Sequence, residues 1–315
     1  MVDQPPALGL YRLSGIQHPA SSRSLEDERV RGLGTTAKPA SSIQHPAQQE
    51  YPVITHKLRA MGIGFRAGSE DIAADRPTLV MIHGAGASSQ IWQNQTRVSK
   101  APSARLSRSV HVLALDLPGH GESPGEAKTD IDGYAAWLCE ALRAAFDEPP
   151  YLMGHSMGGA IVQKAALSDP DLLKGIILAG TGPRLKVAPV FLEGLQENLD
   201  AIVDTLMGYA YAAGADTRLI REGIQLMKSA GPGVAYGDFY ACDRFDVRDR
   251  IGEINLPCLI LCGGEDKLTP PSLSRKLHES IRGSRMEIIP DAGHMVMIEK
   301  FQAFNDLVLD FVLNS

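Results

Sequence analysis

Three residues of this chain, met in the order Ser156, Asp266 and His294, have the types and the surroundings for nucleophilic acyl chemistry. A serine hydroxyl is a weak nucleophile near neutral pH; it needs a base to take its proton and a third group to hold that base. Ser156 lies in Gly154-His155-Ser156-Met157-Gly158-Gly159, after the apolar Tyr151-Leu152-Met153 and before a small-residue helical run from Ala160 to Leu167. A Gly-x-Ser-x-Gly between a strand and a helix makes a turn so tight that only small residues fit two before and two after the serine. Gly154 and Gly158 occupy those places. Such a turn lifts the hydroxyl clear of the sheet and aims the unpaired amides of the new helix at it, Met157 N–H first.

The partners stand after two later apolar runs. Asp266 follows Cys258-Leu259-Ile260-Leu261-Cys262 through Gly263-Gly264-Glu265, and His294 follows Met286 to Ile289 through Pro290-Asp291-Ala292-Gly293. The interval between acid and base leaves room for one helix and one strand. Glu265 and Asp291 are alternative acids, with Asp266 better placed by its turn. A second oxyanion donor is expected from His83-Gly84-Ala85-Gly86, with Ala85 N–H as the donor and Gly86 N–H as the alternative. His83 reads as a residue that orders this loop, and Asp116 and His120 as turn architecture in Asp116-Leu117-Pro118-Gly119-His120-Gly121.

The elements that position these residues alternate. Leu79 to Ile82 and Val110 to Leu115 are continuous apolar runs, as in strands covered on both faces. Tyr151 to Met153, Gly175 to Ala179, Cys258 to Cys262 and Met286 to Ile289 add further strands. Val53 to Met61 reads as a strand with Ile63 to Arg66 as its hairpin partner. Ile131, Tyr134, Leu138, Leu142 and Phe146 form a stripe at helical spacing, and Phe301 to Val312 is amphipathic. Strands alternating with helices imply a mostly parallel sheet. Between Pro183 and about Asp249 the alternation lapses into helical stripes (Phe191, Leu195, Leu199, Ile202 and Leu206, then Leu219, Ile224 and Met227), which reads as a lid over the carboxyl edge of the sheet.

Composition sets the remaining bounds. A chain of 315 residues, 44% hydrophobic, has length for one large α/β domain or a core with a smaller second part. A net charge of -6 and a pI near 5.9 leave no basic surplus for nucleic acid. No apolar run reaches the roughly 18 to 20 residues of a membrane span, and no signal pattern opens the sequence, so a cytoplasmic protein is expected. Cys258 and Cys262 read as core residues on one face of a strand. Residues 1 to 50 differ: Ile16-Gln17-His18-Pro19-Ala20 recurs as Ile43-Gln44-His45-Pro46-Ala47 in a segment rich in Ser, Arg, Gly and Pro. This reads as a low-complexity tail, and its two histidines as a duplicated linker rather than a metal site.

Across residues 51 to 315 the sequence resembles the α/β-hydrolase superfamily. The Gly154 to Gly159 form, His83-Gly84-Ala85-Gly86 with Trp92 nearby, and Asp116 to Gly121 look most like bacterial carboxylesterases with a small cap. The resemblance implies a mostly parallel eight-stranded sheet with helices on both faces. Its core would run over 51–183 and 249–315, with a helical cap over 184–248. It also implies a small-molecule ester substrate, a serine esterase acting on short to medium acyl chains, and neither metal nor organic cofactor. Relatives of the same fold cleave C–C bonds, lactones or thioesters with the same residues, and some act as slow ligand sensors. Those that use Asp as nucleophile are set aside by Ser156. The tail departs from the family pattern, monomer and homo-oligomer both stay open, and no Arg or Lys stands in a motif that specifies an anionic substrate.

Overall fold

The structure is a computed structural model that describes residues 51–68, 75–101 and 104–315. The tail and its duplicated motif lie outside the described residues. The first described element corrects the sequence reading. Residues Tyr51–Ala60 form a helix, α1, where a strand was expected. Burial there repeats every four residues rather than every two: Ile54 and Leu58 are buried while Val53 is exposed. A glycine closure ends the helix. Gly62, at φ 73, donates to Arg59 O, and Ile63 N–H reaches back to Leu58 O.

Without that strand, the sheet among the described residues has seven members, not eight. Strand β1 (Phe65–Ala67) pairs antiparallel with β3 (His111–Leu115) instead of closing a hairpin on residues 53–61. The chain between them supplies β2 (Thr78–Ile82) and the short helices α2 (Gln93–Thr96) and α3 (Arg105–Ser109). Next come α4 (Ile131–Ala145), β4 (Tyr151–His155), α5 (Met157–Ser168) and β5 (Gly175–Ala179). Four helices follow without a strand: α6 (Pro189–Glu197), α7 (Leu199–Ala210), α8 (Thr217–Ala230) and α9 (Pro232–Arg244). The alternation resumes with β6 (Cys258–Gly263), α10 (Pro271–Ser280) and β7 (Arg285–Ile289), and ends with α11 (Val296–Glu299) and α12 (Phe301–Asn314).

The strand order is β1-β3-β2-β4-β5-β6-β7, parallel throughout except for β1. Alternate side chains feed two cores. Val80, Ile82, Cys258 and Ile260 pack on one face with Tyr134 and Leu138 of α4; Leu79, Met81, Leu259 and Leu261 pack on the other with Phe304 and Val308 of α12. Burial on both faces explains why the central strands read as continuous apolar runs. Helix α4 begins where its stripe begins, because the Asp130 side chain caps it by accepting Gly133 N–H at 2.6 Å. Among the described residues no helix is long and apolar enough to cross a membrane. The parallel arrangement has one consequence for chemistry: residues that follow β2, β3, β4, β6 and β7 leave the sheet at a single edge.

The helical reading of residues 51–60 is testable. Leu58→Ala should destabilise by about 2–5 kcal/mol in urea unfolding, as for a buried Leu, whereas Val53→Ala should stay within about 0.5 kcal/mol. Equal losses at both positions would contradict it.

Candidate active site

The turn between β4 and α5 holds Ser156 at φ 54 and ψ -116, in a backbone region that L-residues rarely occupy. Such a conformation costs on the order of 1–3 kcal/mol and persists only where its surroundings enforce it. Ser156 N–H donates to Ala179 O at 2.9 Å, and the Thr181 hydroxyl donates to Ser156 O at 2.9 Å. The flanking glycines are required by space. A Cβ at Gly154 would run into the Gly158 carbonyl, and one at Gly158 into the carbonyls of Ile82 and His83.

The structure brings His294 and Asp266 together. His294 Nδ1–H donates to Asp266 Oδ2 at 2.9 Å, and both side chains are buried. Asp266 also accepts the backbone N–H groups of Leu268 and Thr269 on Oδ1 and the Thr269 hydroxyl on Oδ2. Burial opposes its ionisation. The charge and hydrogen bond of His294, with the Thr269 donors, outweigh that and hold the carboxyl below its ordinary range. A carboxylate on Nδ1 leaves Nε2 as the basic nitrogen of His294. Ser156 and His294 line one cavity.

Neither alternative acid is placed like Asp266. Glu265 accepts Ala213 N–H at 3.0 Å, and Asp291 is an exposed turn residue at φ 50. Around the oxyanion position, neither Met157 N–H nor Ala85 N–H has an acceptor among the described residues. Gly86 N–H is occupied, donating to Asp238 Oδ2 at 2.8 Å. His83 orders the loop, as its position suggested. Its Nε2 accepts Leu117 N–H at 3.1 Å, so its Nδ1 carries the proton and donates to Gly84 O at 2.9 Å. Asp116 has the expected turn role, accepting Ser89 N–H and Glu122 N–H.

Several contributors were not visible in the sequence. Thr269 had a weak signal, since an Asp commonly accepts amides two and three residues on in a turn. His155 had none: its Nε2–H donates to His294 O at 3.0 Å, and its ring lies 4.5 Å from that of His294. Glu299 accepts both Gly293 N–H and Ala212 N–H, and Ala210 O accepts the N–H groups of His294 and Met295. The end of α7 is thereby stitched to the loop that carries His294.

The cavity over Ser156 has a volume of about 790 Å³. Phe191, Leu206, Met207, Leu226, Met227 and Phe239, all from α6 to α9, supply much of its apolar wall. Among the described residues five basic side chains border it, Arg184, Lys186, Arg248, Lys267 and Lys276, against one carboxylate, Glu222. Asp246 pairs with Arg184 and Arg248, and Asp243 with Lys186. No motif announced this basic border, because its members come from four separate segments.

The model of the alpha/beta hydrolase family matches residues 79–307, and the chain belongs to that family. It is 29% identical over 246 residues to a pimeloyl-[acyl-carrier protein] methyl ester esterase of Neisseria meningitidis, covering 74% of this chain and 92% of that protein. It is 26% identical to a 2-hydroxy-6-oxononadienedioate/2-hydroxy-6-oxononatrienedioate hydrolase of Cupriavidus pinatubonensis, covering 79% and 91%. Among solved structures it superposes on a thermophilic esterase with a TM-score of 0.69 at 30% identity, covering 80% of this chain and 93% of that one.

Two buried imidazoles make the fold sensitive to acid. Burial first, then the neighbouring His120, lowers His83 from 6.5 to about 4; burial first, then His294, lowers His155 from 6.5 to about 3. The unfolded chain therefore takes up protons that the folded one refuses, and stability falls as pH drops from 6.5 toward 4. Each ring disfavours the fold by on the order of 3 kcal/mol by pH 4. His120, whose pKa is raised, contributes stability that is in place below 6.5 and is lost only as pH rises through its folded value, so it does not counter this fall. Thermal melts should show Tm falling steadily below pH 6.5; a flat Tm down to pH 4.5 would contradict buried neutral rings at these positions.

Proposed function

We propose that this protein is a serine hydrolase of carboxylic esters, with Ser156 as nucleophile, His294 as base and then acid, and Asp266 as the group that orients His294. The observation that supports it most is the buried hydrogen bond from His294 Nδ1 to Asp266, with His294 and Ser156 on the wall of one cavity. Membership of the alpha/beta hydrolase family and likeness to esterases support the same reading.

Ser156 Oγ attacks the ester carbonyl while His294 Nε2 takes its proton. The oxyanion that forms is held by Met157 N–H at the start of α5 and by Ala85 N–H, since Gly86 N–H is already spent on Asp238. His294 then protonates the leaving alcohol, and the acyl group remains on Ser156. Water, deprotonated by His294, attacks this acyl-enzyme; His294 returns that proton to Ser156 Oγ as the acid is released. Asp266 stays ionised throughout and holds the imidazolium. Helices α6 to α9 serve as a cap: their apolar side chains receive the acyl chain and limit the access of water. We take the substrate to be a small-molecule ester with a short to medium acyl chain, for which the cavity has room.

The test is hydrolysis of p-nitrophenyl esters by purified protein. Wild type should turn them over, and Ser156→Ala should lose on the order of 10³-fold or more in kcat/KM. Retained turnover in that variant would refute the assignment. A substrate panel decides the bond: faster cleavage of a lactone, a thioester or a C–C bond than of any ester would move the reading to that reaction.

A further inference from the structure

The oxyanion loop is pinned from outside the core. Two peptide groups flank Ala85, and each is held by a different buried side chain. The Gly84–Ala85 peptide has its carbonyl fixed by His83 Nδ1–H at 2.9 Å and by Ala87 N–H at 3.3 Å. Because the peptide is planar and trans, its N–H, that of Ala85, points the opposite way. The Ala85–Gly86 peptide has its N–H fixed by Asp238 Oδ2 at 2.8 Å. Asp238 belongs to α9, one of the four helices between β5 and β6, and is wholly buried. It also accepts the Tyr134 hydroxyl on Oδ1 at 2.7 Å and faces His120 Nε2 at 2.9 Å.

His120 resolves the charge state of this cluster. Its Nδ1 lies 3.0 Å from Pro118 O, and its Nε2 faces the Asp238 carboxylate. A carbonyl oxygen and a carboxylate can only accept, so both nitrogens must donate and the ring is an imidazolium. Burial opposes that charge, while the hydrogen bond and charge of Asp238, the Pro118 carbonyl and the charge of Asp116 favour it and raise the pKa. His83, 4.9 Å away ring to ring, is then kept neutral by its neighbour's charge as well as by burial, which preserves the tautomer that holds Gly84 O.

We propose that Asp238 is a positioning residue of the oxyanion hole: paired with the imidazolium of His120, it fixes the loop so that Ala85 N–H aims at the carbonyl on Ser156. The inference rests on the serine-hydrolase reading above. It makes the cap part of the catalytic apparatus, because α9 must be seated for the oxyanion loop to hold its shape.

The experiment compares Asp238→Asn, Tyr134→Phe and, as a control on the same helix, Tyr240→Phe, each counted for active sites by titration with a serine-reactive phosphonate. Assays use p-nitrophenyl acetate. Asp238→Asn should lower kcat by about 10-fold to 100-fold with KM within about threefold, less than the 100-fold to 1000-fold that loss of a donor costs. Tyr134→Phe, which removes one hydroxyl, should lower kcat by about threefold to 10-fold, and Tyr240→Phe should match wild type. A role in folding alone would reduce Tm and the titratable fraction but leave kcat per titrated site unchanged. If Asp238→Asn does not fold, Tyr134→Phe carries the kinetic test. Nitrogen-15 NMR of histidine-labelled wild type, with His120 assigned through His120→Gln, should show both His120 nitrogens protonated at pH 7.5. Unchanged kcat per site in the folded variants, or a neutral His120, would overturn the proposal. A wild type inert toward both ester and phosphonate would instead sink the hydrolase reading itself.

Discussion

The constraint on which the rest depends is the turn that holds Ser156 at a positive φ. No feature of serine favours that conformation; the sheet enforces it through the bond from Ser156 N–H to Ala179 O on the neighbouring strand, and Gly154 and Gly158 permit it by leaving room. The strain has a geometric return. It exposes Oγ at the carboxyl edge of a central strand, where loops after β2, β6 and β7 arrive because those strands run the same way. A parallel sheet thus brings residues far apart in sequence to one edge, where Ser156 and His294 line the same cavity.

The four helices between β5 and β6 do more than roof the cavity. At the end of α7, Ala210 O accepts the amides of His294 and Met295, and Glu299 bridges Gly293 to Ala212. At α9, Asp238 reaches Gly86. One attachment bears on the loop of His294 and the other on the loop of Ala85, so the insertion touches both halves of the proposed chemistry. Asp238 is fully buried with three partners and Glu299 is part-buried with two, and leaving such a network partly satisfied would be costly. That argues for a seated cap rather than a freely swinging one.

Much of this was legible in the sequence. Ser156, Asp266 and His294 each follow an apolar run that reads as a strand, and their chain order restricts how they can meet. The stripe from Ile131 to Phe146 was legible because it repeats at helical spacing; the structure adds the Asp130 cap and ends the helix one residue earlier, at Ala145. The segment Val53–Met61 misled because its spaced apolar residues suit either period at that length; only the burial of Ile54 with Leu58, and the glycine closure at Gly62, decide for a helix. Asp238 was illegible for a deeper reason. Its partners Gly86, His120 and Tyr134 lie more than a hundred residues away, and nothing in α9 marks an acid that must be buried. The basic border of the cavity was hidden in the same way, assembled from segments that carry no shared motif.

The central claim is that Ser156 carries the acyl group between two half-reactions. Intact-protein and peptide mass spectrometry of wild type quenched in acid during turnover of a p-nitrophenyl ester tests it most directly. An acyl adduct on the peptide that contains Ser156, forming as nitrophenol is released and disappearing as substrate is exhausted, is the predicted result. Turnover with the acyl group on another residue would contradict it.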